Sequence, residues 1–130
     1  MRKAASLSTL KNKLDKLWSE YIRRKDAVDE IATCVTCGTQ KHWKEMQCGH
    51  FVSRTHLATR WLVNNTAVQC ARCNVLLRGN MVEYAVWMHE NWGWQAIRDL
   101  RDLKHRTVKY SRTDYEEMIK DVQQKLSELD

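Results

Sequence analysis

Between residues 31 and 80 this 130-residue chain has no aspartate, and its only acid there is Glu45. That removes aspartate from the oxygen ligands the segment can offer a hard cation. Six Lys/Arg stand in the same stretch, a balance of +5, against +3 in residues 1–30 and −2 in residues 81–130. The whole chain carries +6 with a pI near 9.2, which favours a polyanionic partner, nucleic acid before membrane. No apolar run reaches membrane-spanning length, so a helical span is excluded. The opening "MRKAASLSTLKNKLDKLW" lacks the apolar centre of a secretory signal and reads as part of the fold of a cytoplasmic protein. Five cysteines, an odd number spaced as metal ligands are, argue against a secreted disulfide framework. There is no internal repeat and no low-complexity linker.

The length suits one domain over residues 1–130, with a core small enough to benefit from a metal staple. Residues 1–30 read as an amphipathic helix, with Leu7, Leu10, Leu14, Leu17, Trp18, Tyr21 and Ile22 at helical spacing and Ser6 or Ser8 as its cap. Residues 31–80 lose that period and hold the cysteine pairs, three histidines and three of the four glycines. "KHWKEMQ" and "TAVQC" read as strands. Helix returns over residues 81–130, interrupted at "ENWGW". The last helix carries a Thr113/Glu116 capping-box pattern and an apolar face from Tyr115 to Leu129. Trp87, Trp92 and Trp94 read as packing residues rather than base-stacking ones. The long helices also leave room for a homodimer.

"CVTC" and "CARC" place Cys34, Cys37, Cys70 and Cys73 in two Cys-x-x-C pairs about thirty residues apart. Two such pairs make a closed four-thiolate site, the common structural zinc arrangement. Binding and folding would then be coupled. Cys48 is left over, as a buried thiol. Between the pairs, "QCGHFVSR" holds His50, 13 residues after Cys37; Asn65 lies five before Cys70, and Asn74 directly follows Cys73. By spacing alone, His50 is equally a catalytic residue or a packed neighbour of the metal module. Asn65 reads as a turn residue, and Asn74 as a helix cap.

The order His, Asn, Asn beside a second knuckle is that of the HNH nucleases. The strings "QCGHFVSR", "HLATRW", "NNTAVQCARCN" and "GNMVEY" make residues 30–84 resemble the bacteriophage lambda NinG family, also called the Rap recombination nucleases. The resemblance implies an α+β fold: a small HNH-like ββα-metal module, treble-clef-like, stapled by structural Zn²⁺ and flanked by long helices. It implies a phage-encoded, metal-dependent endonuclease in a bacterial cytoplasm, cutting branched DNA such as Holliday junctions or D-loops. Host or phage recombination proteins would be its partners. His50 would be the general base and Asn65 its orienting residue. Asn74 would hold a catalytic Mg²⁺ or Mn²⁺, with His50 itself and Glu83 as further candidate ligands. The departure from the common HNH pattern is Gly49, which stands where many of those enzymes carry an acid that binds the metal.

Arg54, Arg60, Arg72 and Arg78 read as phosphate contacts, Arg54 and Arg60 toward the cut strand and the others on flanking phosphates. His56 reads as a DNA contact. No segment resembles a base-reading helix, so structure is the expected determinant of binding rather than sequence. The competing reading is a zinc-stapled DNA-binding protein without catalysis, which the missing acid beside His50 favours.

Overall fold

The computed structural model describes residues 4–130; residues 1–3, which the sequence joins to the first helical segment, lie outside them. Helix α1 spans Leu7–Arg24 and is capped by the Ser6 side chain, which accepts from the Thr9 amide. Its buried stripe is Leu10, Leu14, Trp18 and Ile22. Helix α5, Arg112–Ser127, lays Tyr115, Ile119, Val122 and Leu126 against that stripe. The two helices run side by side in one direction, and Arg24 near the end of one meets Asp130 beyond the end of the other at 2.6 Å. The terminal apolar face is thus covered within the chain. The capping box of α5 is Ser111 with Asp114, not Thr113 with Glu116, because the helix begins at Arg112.

Two small antiparallel sheets lie between these helices in sequence. Strand β1, Ile31–Thr33, pairs with β2, Gln40–His42. Strand β3, Gln47–His50, pairs with β4, Thr66–Gln69, in the register Gln47↔Gln69, Gly49↔Ala67, His50↔Thr66. The expected strand "KHWKEMQ" is broken by a 3-10 turn at Trp43–Glu45, where the His42 ring accepts from the Lys44 amide. A one-turn helix α2, Leu57–Arg60, and a 3-10 turn, Val63–Asn65, occupy the β3–β4 connection. A single wide turn, Arg72–Leu76, follows β4.

Alternation along β3 decides what each face meets. Cys48 faces the side covered by α1, where the Trp18 indole also donates to Thr66 Oγ1 at 3.1 Å. The other side is covered by α3, Met81–Trp92, whose buried Tyr84 donates its hydroxyl to the Gly49 carbonyl at 3.0 Å. Gly93, with φ +89°, ends α3 and starts α4, Trp94–Leu103, as "ENWGW" suggests. Ala67, Tyr84, Met88 and Leu100 form the core between them. Trp87 packs on Tyr84, but Trp92 and Trp94 are 42% and 58% exposed, a correction to their reading as packing residues. They flank the turn at Gly93 that joins α3 to α4. Among the described residues no helix is long and apolar enough to cross a membrane.

Candidate metal centre and basic cleft

The two sheets bring four sulfurs together. Cys34, Cys37, Cys70 and Cys73 place their Sγ atoms within 4.8 Å of one another. Four thiolates about 2.3 Å from one zinc ion would stand roughly 3.8 Å apart, so the cluster needs only a small contraction to close on a metal. Hydroxyls prepare the sulfurs for the anionic form. Thr39 lies 3.3 Å from Cys37 Sγ, and its hydrogen bonding lowers that thiol to about 6. Burial works against the Cys34 thiolate, but the bond from Thr36 at 3.2 Å helps to outweigh it and bring its pKa down. Burial raises Cys70 to about 11, a cost that metal charge would offset. These residues could hold a zinc ion. Cys48 is not among them. It packs toward α1, and burial pushes its thiol up to about 12, so it is a neutral packing group at ordinary pH.

Beside this centre a cleft of about 650 Å³ opens between α1 and the β3–β4 hairpin. His50 and Asn74 both line it, with Gln47, Arg54 and Arg78. The His50 Nε2 lies 3.0 Å from the Arg60 carbonyl. A carbonyl only accepts, so Nε2 carries the proton and Nδ1 keeps a lone pair. Among the described residues Nδ1 has no hydrogen-bond partner, and it is not sealed from solvent. Burial depresses the His50 pKa, the Arg60 carbonyl opposes that, and the Arg54 and Arg60 charges reinforce it. The ring is therefore neutral near pH 7.

Asn65 is fully buried and acts as a brace. Its Oδ1 accepts from the Val52 amide at 2.7 Å, and its Nδ2 donates to the Val52 and Thr59 carbonyls at 3.0 and 2.9 Å. The braced loop is the one whose next carbonyl, at Arg60, meets His50. Asn74 donates from Nδ2 to Gln47 Oε1 at 2.7 Å. Arg78 enters the cleft rim with φ +51°, followed by Gly79 at +93° and Asn80 at +48°. Two non-glycine residues with positive φ on either side of one glycine are uncommon, and such costs concentrate at functional edges.

Several expected residues stand elsewhere. Arg60 is only 7% exposed and is spent on Asp15 of α1, which accepts from its Nε at 3.0 Å and also from its NH2. A buried, paired guanidinium is not placed to meet phosphate, and this corrects its reading as a DNA contact. Arg54 stays exposed but also reaches Asp15, at 3.1 Å. Arg72 is exposed outside the cleft lining, and Glu83 sits exposed on α3, likewise outside it. His56 precedes α2 and faces the His105 ring, 6.5 Å away between centroids.

The cleft includes residues that the knuckle-centred reading missed: Asp15, Lys16, Ser19 and Arg23 of α1. Their signal was present, since Asp15, Ser19 and Arg23 recur every four residues beside the apolar stripe. Gln69 was missed as well. Its buried Nε2 donates to Thr36 Oγ1 at 3.1 Å and to the Gly79 carbonyl at 2.9 Å. Its Oε1 is the one buried side-chain polar atom without a partner among the described residues. That oxygen lies only 1.8 Å from where a Cβ on residue 49 would sit. Flipping the amide would set an oxygen against the Gly79 carbonyl, so the orientation is fixed. The absence of an acid before His50 thus has a steric cause: the place is filled by the neighbouring strand's glutamine.

Asp15 is the only carboxylate lining the cleft among the described residues, and two arginines and the Trp61 indole hold it. What remains for a hard cation is the Asn74 amide, the Gln47 amide and the His50 ring. That donor set does not fit Mg²⁺ or Mn²⁺ in the absence of phosphate oxygens.

An α+β chain with a four-cysteine centre beside a basic, histidine-bearing cleft is the class these features define. Compared with known families, all of residues 1–130 match the family described as the Bacteriophage Lambda NinG protein. The chain belongs to that family. No curated protein and no solved structure matches it.

Proposed function

We propose that this protein is a phage recombination endonuclease that hydrolyses phosphodiester bonds in branched DNA. Membership of the NinG family and the basic, histidine-lined cleft support that reading. The observation that carries the chemistry is His50: a neutral ring, protonated at Nε2 by its bond to the Arg60 carbonyl, with a solvent-reachable lone pair on Nδ1. Such a ring accepts a proton from water as the water oxygen attacks phosphorus. The P–O bond to the leaving sugar oxygen breaks as the new one forms. Asn65 holds the loop that sets the ring's orientation. In this reading β3, β4 and the Arg72–Leu76 turn form an abbreviated HNH-like finger, and the four cysteines bind a structural zinc ion. The donors in the cleft do not make a protein-only site for a catalytic cation, so among the protein groups the proton transfer falls to His50 alone. Any Mg²⁺ or Mn²⁺ would enter with the phosphate, and Asn74 would be its nearest amide oxygen donor.

The second reading is a DNA-binding protein without catalysis, favoured by the cleft's one carboxylate being fully committed to arginines and an indole. Incubating a labelled four-way junction and a matched linear duplex with the protein, with Mg²⁺, with Mn²⁺ and without either, separates the two. Cleavage of the junction by wild type, lost in a His50→Ala protein that retains zinc, is expected. Tight binding with no cleavage under any cation would sink the hydrolytic reading. Sedimentation of the same samples, free and on the junction, reports whether two copies act together.

A further inference from the structure

We infer that the wall of the cleft contributed by α1 is a binding subsite for a DNA backbone phosphate, anchored by Arg23. The inference rests on the DNA-binding part of the proposed function and adds a residue and an element to it.

Arg23 is half-buried in the cleft, yet no carboxylate pairs with it among the described residues. Its Nε donates to the Ser19 carbonyl and hydroxyl at 3.1 and 3.0 Å, and its NH1 to the Trp43 carbonyl at 3.3 Å. All three acceptors are neutral. Its neighbour Glu20 is committed to Arg24 at 3.0 Å, and Arg24 also holds Asp130. The Trp43 ring, 5.1 Å from the Arg23 guanidinium carbon, fixes the plane of the group. Among the described residues NH2 has no hydrogen-bond partner. Burial draws the Arg23 pKa below its ordinary value and outweighs the opposing charge of Glu20, so among the described residues the guanidinium carries a charge that no ion pair compensates. A held, planar, partly desolvated guanidinium with a free donor edge is what a phosphate oxygen recognises. Lys16, Arg54 and Arg78 line the same cleft and add to its positive potential.

The position also says which phosphate. Cys48 lines the same cleft as Arg23, and it precedes His50 by one strand repeat, about 7 Å. The subsite therefore takes a phosphate flanking the one at His50. Sequence plays no part in such a contact, which sets register along the strand.

The test is a salt titration of binding to the labelled junction and duplex, using the zinc-loaded full chain without added divalent cation. Arg23→Gln keeps most of the stem on Trp43, and Arg23→Lys keeps the charge. Arg106→Ala removes an exposed charge that does not line the cleft. Zinc content and thermal midpoint are recorded for each variant to establish folding. Arg23→Gln is expected to flatten the slope of log affinity against log salt by about one unit, with Arg23→Lys and Arg106→Ala holding the wild-type slope. A wild-type slope for folded Arg23→Gln overturns the inference. Cleavage assays on the same proteins keep the two readings apart. An Arg23-dependent slope without cleavage removes the hydrolase and leaves the subsite, whereas cleavage with an unaltered slope does the reverse.

Discussion

Gly49→Ala adds one methyl group next to His50, and its cost can be worked from the contacts. The new Cβ would stand 1.8 Å from Gln69 Oε1 and 2.6 Å from its Cδ, where ordinary contact begins at 3.4 Å. The amide oxygen must retreat by about 1.6 Å. It is not free to do so, because the amide nitrogen is bound to Thr36 Oγ1 and to the Gly79 carbonyl and the side chain is fully buried. Moving it breaks two buried bonds, each worth about 1 kcal/mol when made and up to about 3 kcal/mol when a partner is left unsatisfied. Overpacking adds a similar amount. A loss of about 3 kcal/mol is expected, near 10 °C in thermal midpoint for a chain of this size. Urea denaturation of the zinc-loaded protein measures it. Gly49 has no left-handed φ, so the effect is steric rather than conformational. The control is a double-mutant cycle with Gln69→Ala. Removing the glutamine costs stability by itself, but the alanine at 49 should then add almost nothing. A Gly49→Ala protein within about 0.5 kcal/mol of wild type would refute the reasoning, as would additive effects in the cycle.

Other expectations follow from the same geometry. Zinc should bind at one ion per chain, be lost in Cys34→Ser and be kept in Cys48→Ala; metal analysis and thermal melts with a chelator check this, with several kcal/mol of stability expected to leave with the metal. Asp15→Ala should cost roughly 3 kcal/mol, because Arg60 is left buried and unpaired; a loss below about 1 kcal/mol in urea melts would contradict the buried pairing. His50 has a folded pKa below its ordinary 6.5, so the unfolded chain binds the extra proton as pH falls through that value. Its contribution is fully present above pH 6.5 and declines below it, and a His50→Gln protein should show a weaker acid-side loss in stability measured against pH.

Much of the frame was legible because it depends on local periodicity. The stripe from Leu10 to Ile22, the face from Tyr115 to Leu126 and the break at Gly93 follow from spacing and one glycine. The cysteine cluster was legible for a different reason: a Cys-x-x-C turn brings two sulfurs together locally, and the β-pairing only has to bring two such turns into contact. The interrupted strand at Trp43–Glu45 was not legible, since "KHWKEMQ" alternates as a strand should and nothing local shows the 3-10 turn.

The cleft is where reading by segment fails, and arginine shows why. Arg54, Arg60, Arg72 and Arg78 look equivalent as a basic run around two knuckles. Their fates depend on α1, which packs across the hairpin from outside that run. Asp15 captures Arg60 completely and Arg54 in part, while Arg23 ends half-buried on neutral acceptors, with no ion pair among the described residues. Charge in a segment therefore says only that a partner is anionic. Which cation remains to meet that partner is decided by which carboxylates the fold has already placed, and here the decisive one lies 45 residues from the arginine it neutralises. The same holds for the empty position before His50. A sequence can show that the acid is missing, but only the register Gln47↔Gln69 shows that the space is taken.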